Sequence, residues 1–139
     1  MRILIVDDDY VTRAKLKAIL SERGDCDAAP NGDVALSMVD EALNESVPYD
    51  LITMDVDMPG MTGEDVVRAI RDREWNWAKR MGRPTREANV LMVTVRNDAQ
   101  TVIASFRRGC EGYLTKPVTP EKLNVALAKL GFEPKPCEV

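Results

Sequence analysis

The stretch LITMDVDMPG, residues 51–60, decides how this chain reads. Leu51 to Met54 is an apolar or neutral run of strand length with no charged residue and no alternation. It leads straight into two carboxylates, Asp55 and Asp57, and then into Met58-Pro59-Gly60, which ends regular structure. A continuously apolar strand is one buried on both faces, as in a parallel sheet covered by helices. It delivers Asp55 to the rim of a core, where an uncompensated carboxylate is costly. Two readings are open here. Both aspartates are solvated turn residues, or something cationic sits beside them.

The same grammar repeats on either side. Ile3 to Val6 is an apolar run closed by Asp7-Asp8-Asp9. Val11 to Glu22 places Leu16, Ile19 and Leu20 at helical spacing, with Gly24 as a stop signal. Cys26 to Ala29 is a weak strand, and Val34, Met38 and Ala42 mark a second helix. Val66, Val67 and Ile70 mark a third helix, opened by Thr62 as N-cap. Val90 to Val95 reads as the fourth strand. Val102, Ile103 and Phe106 mark the fourth helix, and Tyr113 to Thr115 the fifth strand. Leu123, Leu127 and Leu130 mark the fifth helix, with Thr119 as N-cap, Pro120 in its first turn and Gly131 at its end. Strand–helix alternation five times over predicts a doubly wound α/β domain with helices on both faces of a parallel sheet. Ligands in that architecture bind at the carboxyl ends of the strands, where the strand order reverses.

Composition narrows the functions. The chain has 139 residues, the size of one domain, and a net charge of −4 with no basic arm. Direct nucleic-acid binding is therefore not expected. No run is long enough for a membrane span or a signal peptide. Three widely spaced cysteines fit neither a disulfide framework nor a zinc site, so reduced thiols and a cytoplasmic location are expected. With no histidine, every histidine-based triad and metal site is excluded.

The residues after the strands carry the chemistry. Strand 1 delivers Asp7, Asp8 and Asp9, strand 3 Asp55 and Asp57, strand 4 Thr94, and strand 5 Thr115, Lys116 and Pro117. In a parallel sheet they converge on one edge. Clustered carboxylates raise one another's pKa unless a cation is present. A hard divalent ion such as Mg²⁺ (or Mn²⁺) suits an all-oxygen site. With a lysine and a hydroxyl beside it, the edge is a place to make or hold a phosphoryl group. Asp55, the first polar residue after the central run, is the candidate that attacks phosphorus. Asp7 and Asp8 hold the metal, Lys116 pairs with the modified Asp55, and Thr94 bonds a phosphoryl oxygen.

ILIVDDD, LITMDVDMPGMTG, VLMVT and GYLTKP occur in that order, each on its expected strand. Over residues 1–131 the chain thereby resembles the receiver domains of bacterial two-component response regulators, of the stand-alone, CheY-like kind. The resemblance implies a flavodoxin-like sheet in the order 2-1-3-4-5. It implies Asp55 as the residue phosphorylated by a histidine kinase or phosphotransfer protein. It implies Mg²⁺ held by Asp8, Asp55 and the backbone carbonyl of Asp57, with Asp7 acting mostly through water. Thr94 and Tyr113 match the family's switch pair, and Lys116-Pro117 its lysine–proline step, usually cis. The helix 4–strand 5–helix 5 face would be the output surface for a downstream protein. The domain would act as a signalling module, catalysing only its own phosphorylation and dephosphorylation. Asp57, Val95 and Arg96 depart from the family's commonest residues. Asp57 would change the charge beside the metal, Val95 narrow access to Asp55, and Arg96 steer an anionic donor.

Plainer readings stand beside these. Asp9 is an N-cap, Tyr113 a half-buried strand aromatic, and Trp75 and Trp77 packing residues. Asp55-Val56-Asp57 also suits a haloacid-dehalogenase-type phosphatase, although that motif normally sits on the first strand. A pseudo-receiver acting only by protein contact is a third reading. Residues 72–88, DREWNWAKRMGRPTREA, are long for a helix–strand connection. They extend helix 3 in part, with Gly82 and Pro84 ending it, and lie at the sheet end opposite Asp55. Lys79, Arg80, Arg83 and Arg86 read as a solvated face; if the segment binds anything, it docks a partner or oligomerises and does not shape catalysis. Residues 132–139 read as a short tail. A stand-alone regulator, a phosphorelay shuttle and a receiver cut from a longer protein all fit.

Overall fold

The computed structural model describes residues 1–132. Along the chain run β1 (Arg2–Val6), α1 (Tyr10–Leu20), β2 (Asp25–Ala29), α2 (Gly32–Asn44) and β3 (Leu51–Met54). There follow α3 (Gly63–Met81), β4 (Asn89–Thr94), α4 (Ala99–Arg108), β5 (Gly112–Thr115) and α5 (Pro120–Lys129). All four strand pairings are parallel, and the sheet order is β2-β1-β3-β4-β5.

Side-chain alternation along each strand splits the core in two. Leu4, Val6, Ile52, Met54, Val90 and Met92 pack on one face against α2 and α3. Ile3, Ile5, Leu51, Leu91 and Val93 pack on the other against α1 and α5. The three central strands are buried on both sides, which is why they are apolar apart from Arg2 and Asn89 at their starts and the buried threonines Thr53 and Thr94. The edge strands β2 and β5 are only partly buried, which is why their sequences read weakly.

The helix ends follow local chemistry. Asp9, Asn31, Thr62, Asp98 and Thr119 are N-caps whose side chains accept from the first-turn amides. Gly82 ends α3 in the left-handed region, at φ 64°.

Several expectations need correction. The helix expected to reach Glu22 ends at Leu20, capped by Ser21. Val95 lies outside β4 and is 68% exposed, because the strand stops at Thr94. Residues 72–81 are helix, so the connection to β4 is only residues 82–88. Trp77 packs against the core, but Trp75 is 62% exposed. On α4 the buried residues are Thr101 and Ser105, while Ile103 and Phe106 are about half exposed, at 51% and 47%. Small side chains let α4 approach its neighbours, and its apolar residues are left outside. Phe132, assigned to the tail, packs on the second core cluster. Residues 133–139 lie outside the described residues. Among the described residues, no helix is long and apolar enough to cross a membrane.

Candidate functional site

Sheet register builds the site. Val6 pairs with Met54 across β1 and β3, so the next residues, Asp7 and Asp55, leave the sheet side by side. This is the point where strand order reverses, with β1 leading outward to β2 and β3 to β4. Thr94 pairs with Thr115 across β4 and β5, and the Lys116 amide donates to the Thr94 carbonyl at 2.8 Å. The four strand ends thus bring Asp7, Asp55, Thr94 and Lys116 to one edge.

Asp7 is 1% exposed and Asp55 6%, whereas Asp8 lies open to solvent. Each of the three offers a carboxylate oxygen within 4.8 Å of the others. Lys116 Nζ lies 2.9 Å from Asp7 Oδ2 and 3.5 Å from Asp55 Oδ2. With Asp55 unmodified the lysine lies closer to Asp7 than to Asp55. The other oxygen of Asp7 accepts the Asp9 amide at 2.8 Å, and the Asp57 amide donates to Asp55 Oδ1 at 3.3 Å. Arg13 fixes the Asp7 carbonyl from α1 at 2.8 Å. The Lys116–Pro117 peptide is cis.

Burial pushes the Asp55 carboxyl above the usual range, and the Asp7 charge adds to it. Lys116 and the Asp57 amide only partly offset this. Burial works against the Lys116 charge too, but the two carboxylates outweigh it and hold the ammonium protonated more firmly than usual. The cluster thus has more negative charge than one lysine satisfies. Its donors are all oxygen, with an open side at Asp8 where waters can complete a shell. That set fits a hard divalent cation.

Two features here were not foreseen. Asp57 and Arg96, read separately from the sequence, form one exposed ion pair at 2.7 Å across the β3–α3 and β4–α4 loops. Arg96 is also a junction. Its amide donates to Thr94 Oγ1 at 3.3 Å, and its carbonyl accepts the Tyr113 hydroxyl at 2.6 Å. Thr94 is fully buried and Tyr113 half-buried, its ring against the core. The second feature is Gly63, where a Cβ would stand 2.0 Å from the Asp55 carbonyl oxygen. Only glycine lets α3 start this close to the acceptor. Its sequence signal is its place just after Thr62, as the last residue of LITMDVDMPGMTG. Asp9, one of the acidic triplet, points to its own helix and caps α1.

A doubly wound sheet with this carboxylate–lysine edge defines a class of acidic-pocket α/β domains, and comparison with known proteins narrows it. The family model of the response regulator receiver domain matches residues 3–128. The chain belongs to that family. It is 35% identical to the rice (Oryza sativa subsp. japonica) two-component response regulator ORR41 over 134 residues, covering 93% of each chain. It is 32% identical to the Pseudomonas aeruginosa transcriptional regulatory protein AruR over 123 residues, which is 88% of this chain but only 46% of AruR. Among solved structures, the Vibrio cholerae chemotaxis protein CheY4 matches with a TM-score of 0.72 and 28% identity, covering 94% of this chain and 95% of that one. The chain is thus a receiver domain of two-component signalling, not a member of a classical enzyme family.

Proposed function

We propose that residues 1–131 form a phosphoacceptor domain that takes a phosphoryl group onto Asp55 from a histidine kinase or phosphotransfer protein. The observation that carries this is the buried Asp55 carboxylate, grouped with Asp7, Asp8 and Lys116 at the strand-order reversal. An oxygen of Asp55 attacks the phosphorus of a phosphohistidine. The new O–P bond forms as the P–N bond breaks, and the electron pair leaves with the imidazole, which solvent protonates. Asp8, Asp55 and the Asp57 carbonyl would hold Mg²⁺ or Mn²⁺, with Asp7 acting mostly through water; the ion would offset charge on the phosphoryl oxygens. Lys116, already between Asp7 and Asp55, needs only a small shift to pair with the modified side chain.

The switch follows from the Arg96 junction. The Thr94 hydroxyl meets a phosphoryl oxygen, which draws it off the Arg96 amide. The Arg96 peptide also holds the Tyr113 hydroxyl, so the change passes to β5. The face of α4, β5 and α5 next to it carries a groove of about 560 Å³ lined by Phe106, Tyr113, Val125 and Leu130. Half-exposed apolar side chains around a groove suit a protein partner. We assign the downstream contact to this face, with no direct role for nucleic acid or membrane, and the domain to the cytoplasm.

The phosphatase reading loses its second carboxylate. Asp57 Oδ1 and Oδ2 are both within 2.9 Å of Arg96 Nε, which leaves Asp57 poorly placed as an acid for Asp55.

Mass spectrometry after incubation with acetyl phosphate and Mg²⁺ tests the assignment. One phosphoryl adduct is expected on the wild type and none on Asp55→Asn. An adduct unchanged by the substitution would overturn it.

A further inference from the structure

Asp8 is the carboxylate of the cluster that the rest of the site leaves untied. Asp7 uses one oxygen on Lys116 and the other on the Asp9 amide. Asp55 meets Lys116 and the Asp57 amide. Asp8 is exposed, and among the described residues its carboxylate has no hydrogen-bond or ion-pair partner. Its direction is therefore set by the backbone on either side of it.

Arg13 holds that backbone. Its guanidinium donates to the Asp7 carbonyl at 2.8 Å, and its own amide donates to the Asp9 carbonyl at 3.0 Å. One residue thus fixes the carbonyls before and after Asp8. The Asp9 side chain is tied as well, accepting from the Val11 and Thr12 amides and from the Thr12 hydroxyl. Tyr10, 73% exposed, braces the arginine in turn. The guanidinium carbon stands 5.7 Å from the centre of its ring, within cation–π range.

Neither the helix nor local charge explains Arg13. It sits at the start of α1, where the helix dipole disfavours a cation. Four aspartates crowd this edge, yet among the described residues Arg13 pairs with none of them and takes a carbonyl instead.

We propose that Arg13 is a positioning residue that aims Asp8 at the divalent ion. The inference rests on the metal reading given above and deepens it. Arg13 keeps the Asp7–Asp8–Asp9 turn in the one shape that sets the Asp8 carboxylate beside those of Asp7 and Asp55 before an ion arrives. Mg²⁺ demands near-octahedral geometry, so a ligand on a loose turn binds it poorly. The sign of the effect separates this role from simple charge. Arg13 is a cation beside a cation site, so by charge alone its removal tightens a divalent ion. Removal of a brace weakens it.

The test measures Mn²⁺ binding to the full chain from the electron paramagnetic resonance signal of the free ion, with Mg²⁺ read by competition and no phosphodonor present. Arg13→Met is expected to bind about tenfold more weakly than the wild type. The deficit is expected to persist as sodium chloride is raised, since it does not come from charge. Arg13→Lys keeps a donor for the Asp7 carbonyl and is expected to recover part of the loss. Asp8→Asn is expected to lose at least as much as Arg13→Met. Circular dichroism and urea midpoints report that each variant is folded. Equal or tighter binding by Arg13→Met would overturn the proposal and leave the metal reading standing. So would equal losses in Arg13→Met and Arg13→Lys with lowered urea midpoints, which would be general damage. Unchanged binding in Asp8→Asn would overturn it too. A wild type that binds neither ion would overturn the metal reading and this inference with it.

Discussion

Asp57 and Arg96 matter at the residue scale because each cancels the other beside the acceptor. An unpaired Asp57 would place a fixed negative charge two residues from Asp55, where an anionic donor must approach. Arg96→Ala should therefore slow formation of the Asp55 adduct from acetyl phosphate by a few-fold, with the deficit shrinking as salt screens the charge. Adding Asp57→Asn to Arg96→Ala should restore the rate, because it removes the exposed charge. Initial rates by mass spectrometry over a sodium chloride series measure this, and a double variant as slow as Arg96→Ala would refute it. Neither Asp57 nor Arg96 was hard to single out in the sequence. That they form a pair was not legible, because β3–α3 and β4–α4 are adjacent only once the sheet order is set.

A second residue-scale consequence concerns Glu74. Burial raises its pKa above the ordinary 4.5, despite the Ala88 amide and Arg71. The folded chain thus holds this proton more tightly than the unfolded one. That contribution is full below the ordinary pKa and is lost as pH rises through the raised value. Glu74→Gln keeps the acceptor oxygen but cannot titrate. The wild type should therefore gain stability relative to the variant as pH falls from 7 toward about 5. Urea midpoints of both proteins across that range give the sign, and a gap moving the other way would show that the Arg71 pairing dominates.

At the element scale, α3 is held at both ends by contacts of different legibility. Its start could be read from Thr62 and its stop from Gly82, since caps are local signals. The Arg71–Glu74–Glu111 network could not, because Glu111 is 40 residues from Arg71 and no periodicity links them. The faces of α4 were misread for a related reason. Val102, Ile103 and Phe106 have helical spacing, but spacing does not say whether an apolar side faces a core or a partner. The start of α3 also carries a prediction. In Gly63→Ala the new methyl collides with the Asp55 carbonyl, so helix or acceptor loop must move. The cost should be about 2–3 kcal/mol in urea unfolding, with slower Mg²⁺-dependent adduct formation. Gly60→Ala is the matched control. Gly60 has φ 86° but open space around its Cβ position, so the substitution should strain the turn and leave the Asp55 geometry intact.

Over the whole molecule, the sheet separates two ends with different duties. At the carboxyl edge the carboxylate cluster carries charge it cannot satisfy alone, and the Arg96 junction there is built from long or exposed bonds that can re-form. At the amino edge the Arg71–Glu74–Glu111 contacts are short and partly buried, so little there can rearrange cheaply. A phosphoryl mimic on Asp55 should therefore act on one end only. Hydrogen exchange with and without beryllofluoride and Mg²⁺ should change at residues 95–106, around Tyr113 and along α5. The backbone of residues 72–82 should exchange at the same rate in both states, because none of its anchors touches the Arg96 junction. Local opening free energies report this distinction directly. Equal changes at both ends would mean that the helix clamp and the switch are coupled, and that α3 transmits the signal instead of standing still.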